Sequence, residues 1–529
     1  MHNNLLIILG LLFVVMLLVL LANKVKIAYP IFLVVAGLGI SFIPGVPLLH
    51  LDPDLIFLIF LPPLLYEAAW YTSWNDFWKW KYPIALLAFG LVFFTSSIIA
   101  FSSYALIPGF TVALGFLIGG IVSPPDAVAA ATVLKGMNVP KRLMTILEGE
   151  SLINDASSLI VFKFALIAVL SGTFSMEEAT GDFFLVAGMG IVIGLIGANM
   201  MYVIHRFLPT TPAIDGVLTV MTPYILFLIA EQFHYSGVMA VVTGGLFMSY
   251  RSHEVFQTGS TRLNMLGVWT TMIFVMNALV FILIGLELPE IVSGLEGYSI
   301  MDAVKYGVAI SVITIGVRFL WVFSSTYLLR LMSAKARMNP SGGWKGSMVL
   351  SWSGMRGVVS LATALSIPIM INDDVRFPHR NLIIFITFIV IFVTLVFQGL
   401  SLPFLIRLIK VREIDEIVPE DKQRVGIQFR LNTVALNYVN NKRTDNVQEI
   451  EVLQYYKAEL ESENDSLNKN TLSLENKKKE IYDSNLLLIY ALQRKELFKL
   501  RKEKFFSDDE IRNAELQLDL KELKITGMG

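Results

Sequence analysis

Gly115-Phe116-Leu117-Ile118-Gly119-Gly120-Ile121-Val122-Ser123-Pro124-Pro125-Asp126-Ala127-Val128-Ala129-Ala130 reads as an apolar helix interrupted at its middle. Pro124 and Pro125 each lack an amide hydrogen, so the carbonyls of Gly120 and Ile121 lose their helical donors. Asp126 then opens a second half-helix, where free amides and the positive end of the helix dipole stabilise a carboxylate. The plainer alternative is a proline kink with Asp126 as its N-cap. At membrane depth, however, a broken helix persists only where it is buried in protein or lines a polar cavity. There the loosened carbonyls are free to coordinate a cation.

The rest of the chain says that this setting is a membrane. Of 529 residues, 55% are hydrophobic and 16% charged, with mean hydropathy +0.64. A soluble chain carries about a quarter charged residues. The apolar residues come in runs of roughly 18 to 25, the length that crosses hydrocarbon. The chain has no cysteine, which removes disulfide frameworks, thiolate catalysis and cysteine metal sites. Six histidines are present, none at metal-ligand spacing. A net charge of −1 gives nucleic acid no basic surface. No cysteine, His-rich or Gly-rich phosphate motif supports an enzyme or a bound cofactor. The opening run, residues 4–21, is too long and too evenly apolar for a cleaved signal peptide and is expected to remain as the first span.

Hydropathy and breakers give an all-α membrane protein with about thirteen spans, near 4–22, 28–46, 54–69, 82–106, 109–134, 142–170, 183–205, 214–232, 236–250, 268–287, 303–330, 345–369 and 382–408. The third and ninth are short enough to be tilted or re-entrant. Lys24, Lys26, Lys79, Lys81, Lys135, Lys141, Arg142, Arg206, Arg251, Arg262, Arg330, Lys335, Arg337 and Lys345 all fall between spans on one side. The other side holds Arg376, Arg380 and acidic stretches at 176–178 and 287–296. Because basic loops stay cytoplasmic, the amino terminus is expected outside and the carboxyl end inside. From 411 to 529 a polar Lys/Glu/Asn-rich tail follows. Its residues 446–505 look helical, and Ser507-Asp508-Asp509-Glu510 is a capping box opening a helix to about Ile525. A solvated helical cytoplasmic domain is the simple reading of this tail; a nucleotide or ion sensor is the alternative.

An ionisable group at the bilayer centre costs about 2.5 to 3.5 kcal/mol on insertion scales, so each one kept there needs a partner or a water-filled path. The sixth span contains Glu148-Gly149-Glu150-Ser151-Leu152-Ile153-Asn154-Asp155. At 100° per residue Glu148, Ser151 and Asp155 share one stripe, with Glu150 and Asn154 beside it. Asp155 lies roughly 20 Å in from a start near Arg142, where proton and alkali cation compete for one carboxylate. The twelfth span reads Ser351-Trp352-Ser353-Gly354-Met355-Arg356-Gly357. Arg356 stays charged and must be paired; Glu150, at matching depth, is the expected partner. Spans five and twelve are an odd number apart and therefore cross in opposite directions. Both are interrupted by Gly or Pro at similar depth, as in inverted repeats with a site between broken helices. Glu67, behind Pro62-Pro63, either lines the inner approach or sits at the interface. Lys163, Glu231, Lys305 and Arg318 are read as structural, near span ends or snorkelling.

Pro124-Pro125-Asp126-Ala127, then Glu148 through Asp155, then Gly354-Met355-Arg356-Gly357 together resemble the bacterial sodium/proton antiporters of the first monovalent cation–proton antiporter family, over about residues 1–410. The resemblance implies thirteen spans in inverted repeats with two crossing broken helices. It implies a core at about 82–170 and 303–408, interface spans at about 28–69 and 183–287, and a homodimer in the cell membrane. It also implies that Asp155 is the exchange carboxylate, that Asp126, Ser151, Asn154 and Glu67 assist the transported cation, and that Glu150, Arg356, Pro124 and Pro125 are structural. The Asn-Asp pair marks the electroneutral branch. Pro125 stands where many members carry Thr or another small polar residue, which removes one hydroxyl. The expected activity is exchange of sodium for protons without enzyme chemistry, with lithium or potassium as further cations. Potassium/proton exchange is the alternative within the class, and a cation channel the alternative outside it.

Overall fold

The computed structural model describes residues 2–43, 53–134, 137, 139–172, 176–256, 259–295, 297–332, 344–372, 375–411 and 420–442, with scattered residues between 453 and 522. The chain divides into two compact units, Met1–Asp415 and Glu416–Gly529. In the second, the main described element is the polar helix Glu420–Asn441. The capping box at Ser507 and most of the helical stretch 446–505 lie outside the described residues, as do Lys135, Lys335 and Arg337 of the basic loops.

The first unit is built almost entirely of helices. We number α1 His2–Val25, α2 Tyr29–Ser41, α3 Pro53–Tyr71 and α4 Trp74–Lys79. Next come α5 Lys81–Leu106, α6 Val112–Val122, α7 Ala127–Leu134, α8 Lys141–Ser171 and α9 Met176–Phe207. Then follow α10 Pro212–Gln232, α11 Gly237–Tyr250, α12 Gly259–Leu286 and α13 Ile300–Met332. The series closes with α14 Trp344–Trp352, α15 Val358–Leu365 and α16 Arg380–Ile409. A small antiparallel hairpin, Met370–Asn372 with Val375–Arg376, precedes α16. Among the described residues, eight helices are long and apolar enough to cross a membrane, and three shorter apolar helices accompany them.

The prolines act as the sequence predicts. Thr111 caps α6 by accepting the Leu114 amide at 3.2 Å, and the helix stops at Val122, just before Ser123-Pro124-Pro125. The second interruption falls at Ser353–Gly357, where α14 ends and α15 has yet to begin. Pro62 and Pro63, in contrast, are carried inside α3, which runs on for 19 residues.

Lipid is as apolar as leucine, so helices in it adhere through close packing around small residues rather than through a hydrophobic drive. A Cβ on Gly119 of α6 would come within 2.7 Å of the Ser96 backbone of α5, and one on Gly120 within 2.8 Å of the Phe162 amide of α8. Those two glycines let α6 lie directly on both neighbours. Within α5, residues Leu86–Leu91 form a π-helical segment, which takes carbonyls off the regular ladder. Trp321 Nε1 donates to the Leu86 carbonyl at 3.0 Å and Ser157 Oγ to that of Ala88 at 2.6 Å.

Helix α8 stands between two apolar cores. Leu143, Ile146, Leu147 and Phe162 join the cluster built on α5, α6, α13 and α16. Leu152, Ala156 and Leu159 join the one built on α3, α10 and α11. Asp155 therefore sits on the strip of α8 that passes from one core to the other. Far from this seam, α9 turns Phe184, Ile196, Met200 and Phe207 outward, as a helix bathed by acyl chains does. Near the start of α8, the Arg142 guanidinium lies 4.0 Å from the Trp80 ring centre and Lys141 reaches Asp76 at 3.6 Å, a belt of the kind found where a membrane meets water.

Candidate functional site

The two interruptions meet. The Asp126 amide donates to the Met355 carbonyl at 2.7 Å, a backbone bond from one break to the other. Asp126 Oδ1 accepts the amides of Val128 at 2.8 Å and Ala129 at 3.3 Å, so it does cap α7. Its other oxygen lies against Gly357, at the head of α15, where an added Cβ would collide with the carboxylate. One acid thus serves the amino ends of both half-helices, where dipoles and free amides welcome it. Gly357→Ala is expected to push the two breaks apart. Overpacking of this sort costs about 1–3 kcal/mol, read as a lower melting temperature in detergent.

Of the two carbonyls freed by the prolines, that of Gly120 accepts from a side chain, and other carbonyls around the break are engaged as well. Arg356, fully buried, donates through Nε to Val122 O at 2.9 Å and through Nη2 to Ser123 O at 3.5 Å, and also bonds the Gly354 carbonyl. Asn154 Nδ2 donates to Pro125 O at 3.1 Å, and Ser123 Oγ donates to Gly120 O at 3.5 Å. A guanidinium with five donors suits this role, because a break leaves several acceptors facing one point.

The expected Glu150–Arg356 pair is not formed. Glu150 is held by Arg318 of α13, with Nη1 to Oε1 at 2.5 Å and Nη2 to Oε2 at 2.9 Å. Arg318 also donates through Nε to the Leu350 carbonyl at 3.1 Å. Both partners are sealed from solvent, at 0% and 1% side-chain exposure. Arg318 is therefore neither at a span end nor snorkelling. It stands 18 residues into the 33-residue α13, and counting its depth from that helix start, rather than from the nearest polar loop, reveals it. Lys163 and Glu231 do pair, at 2.8 Å, and Lys305 bonds Asp302 on its own helix at 2.9 Å.

Beside the crossing lies a cavity of about 370 Å³, whose lining includes Glu67, Asp126, Glu148, Ser151 and Asp155. The stripe predicted on α8 is its wall. Glu148 is exposed, Ser151 is half-buried, and Asp155 is 7% exposed. Seven residues of helix, about 10 Å, thus lead from an open mouth to a buried acid. Glu150 and Asn154, on the adjoining strip, are not on this wall; Asn154 pins the break while Glu150 pins α13. Ser151 Oγ accepts the Ala127 amide at 3.1 Å and so joins the wall to α7. Glu67 stands on the facing wall in α3, near Tyr71 and Thr72. Pro124 and Pro125 also reach the lining. Three further polar residues, Thr132 of α7, Asn277 of α12 and Ser360 of α15, reach it without having been singled out in the sequence.

The contrast among these acids is chemical. Glu150 has a guanidinium and Asp126 has backbone amides, whereas the Asp155 carboxylate has no hydrogen-bond or ion-pair partner among the described residues. Among those residues there is also no cluster of three or more His, Asp or Glu able to hold a resident metal ion. A lone carboxylate at the foot of a water-sized passage is fitted to take up a proton or a small cation and to release it again.

A helical multi-pass membrane protein with two interrupted helices that meet beside such an acid has the architecture expected of secondary transporters. The match can be drawn more closely. The family model for the transmembrane sodium/hydrogen exchanger covers residues 10–408, and the chain belongs to that family. The sodium, potassium, lithium and rubidium/H+ antiporter of Bacillus pumilus is 34% identical over 387 residues, which are 71% of this chain and 57% of that relative. The chain thus spans little more than half the length of that protein. The Na+/H+ antiporter ApNhaP of Aphanothece halophytica is 33% identical over 71% of this chain and 68% of its own length. Among solved structures, the sodium proton antiporter MjNhaP1 from Methanocaldococcus jannaschii has the same fold, with a TM-score of 0.56 at 22% identity, covering 76% of this chain and 98% of that one.

Proposed function

We propose that this chain exchanges sodium for protons across the cell membrane, with Asp155 carrying either ion in turn. The observation that carries the reading is the unpartnered Asp155 carboxylate at the foot of the cavity. Sodium is common to the names of the relatives described above, and those from Bacillus species add potassium, lithium and rubidium. One carboxylate trading one proton for one monovalent cation moves no net charge. The loaded carboxylate, neutral with either ion, can pass between facing in and facing out. Left empty and charged, it would meet hydrocarbon uncompensated, which discourages a futile half-cycle.

In this reading thirteen helical crossings form two inverted repeats, the amino terminus is outside, and two copies associate. With that orientation the cavity mouth, flanked by Glu148 and Thr72, opens to the cytoplasm. Asp126 and Ser151 fix the shape of the site through backbone amides, Asn154 holds the break at Pro125, and Glu67 stands at the entry. Excess protons occupy Asp155 and slow cation uptake at low pH; cations win as protons become scarce.

The test is a pH-gradient assay in proteoliposomes, following a quenched amine dye as Na+, Li+ and K+ are added in turn. Sodium should collapse the gradient without generating a membrane potential. Collapse by potassium but not sodium would make the chain a potassium/proton exchanger, and single-channel currents would make it a channel.

A further inference from the structure

Helix α12 carries Met272-Ile273-Phe274-Val275-Met276-Asn277-Ala278-Leu279-Val280-Phe281-Ile282-Leu283-Ile284-Gly285-Leu286, in which Asn277 is the sole polar side chain. An amide placed mid-helix in a membrane is costly unless it is satisfied. The ordinary explanation is a hydrogen bond that glues one helix to the next. That explanation fails here, because the Asn277 amide finds no hydrogen-bond partner among the described residues. The side chain is nevertheless 4% exposed and lies on the wall of the cavity that holds Asp126 and Asp155. Ile273, one turn earlier, is its neighbour on that wall, so this face of α12 is turned to the passage. Around it the helix is packed: Ala278, Phe281 and Ile282 are fully buried in the apolar core, and Phe274 meets the Tyr29 ring edge-on at 5.9 Å.

We propose that Asn277 supplies an oxygen ligand to the monovalent cation entering the cavity, its amide carbonyl replacing one water of the hydration shell as the ion approaches Asp155. The proposal rests on Asp155 being the exchange carboxylate. Hard alkali cations take neutral carbonyl oxygens readily, and an amide does not titrate, so its hold on the cation is independent of pH. Asn277 stands on a different helix from the half-helices and from α8. It therefore completes the ligand set only while the cavity is in its present arrangement, and it sets how tightly sodium is taken up from this side.

The experiment compares wild type, Asn277→Ala, Asn277→Asp and Asp155→Asn in proteoliposomes, with each variant first checked as monodisperse in detergent. Losing one neutral-to-ion contact should raise the half-saturating sodium concentration about tenfold in Asn277→Ala, with the maximal rate within about twofold. Asn277→Asp keeps an oxygen in place and adds charge, and should hold or lower that concentration. The proposal is overturned if Asn277→Ala needs no more sodium than wild type. It is equally overturned if both Asn277 variants lose maximal rate alike with unchanged sodium requirement, the mark of a packing role. An inert Asp155→Asn beside an unaffected Asn277→Ala rejects the amide alone; an active Asp155→Asn rejects the carboxylate and the amide together.

Discussion

Asp155→Asn should reduce sodium-driven proton movement to the leak of protein-free liposomes while leaving the folded protein intact. The asparagine amide is nearly isosteric with the carboxylate but cannot exchange a proton or neutralise a cation. Because the Asp155 carboxylate has no partner among the described residues, its replacement orphans nothing. The general cost of a buried charge makes a melting temperature equal to or slightly above wild type the expected outcome. Thermal unfolding in detergent, run beside the transport assay, separates loss of function from loss of fold. Transport by the variant at even a tenth of the wild-type rate would remove Asp155 from its assigned role.

The second large effect is on stability. Arg318→Met leaves Glu150 charged and alone inside the protein, and breaking a buried pair from one side costs about 3–5 kcal/mol. Little monodisperse protein should be recovered, and what remains should melt far below wild type. Replacing both members, Arg318→Met with Glu150→Leu, removes the orphaned charge and should restore much of the loss, since an apolar pair of similar volume is often as stable as a buried ion pair. The Leu350 carbonyl that Arg318 also serves keeps the rescue incomplete. A double variant no better than the single one would mean that Arg318 acts through that carbonyl rather than through Glu150.

Much of this site was legible because membrane depth is easy to count along a helix. The proline pair gave the break before α7, and the period of 3.6 residues put Glu148, Ser151 and Asp155 on one wall. The glycines flanking Arg356 marked the second break. What failed was pairing. Depth along two helices cannot tell Arg318 from Arg356 as the partner of Glu150, because the choice depends on which helix lies against α8 and which guanidinium a broken backbone has already claimed. For the same reason depth alone did not show that side chains engage carbonyls around the break, Arg356 those of Val122 and Ser123, Asn154 that of Pro125 and Ser123 that of Gly120. Asn277 could have been found from its isolation within an apolar run. The cavity supplies what that run could not, the fact that this amide faces open space rather than another helix.

The central claim is that proton and sodium occupy the same group in turn. It is tested by titrating sodium into purified protein in two buffers of different ionisation enthalpy and comparing the heats. At a pH low enough for the empty carboxylate to hold its proton, the account predicts about one proton released for each sodium bound by the wild type, as the linkage of both ions to one carboxylate requires, and none from Asp155→Asn. Sodium that binds without releasing protons, or that releases them equally from the variant, would contradict it.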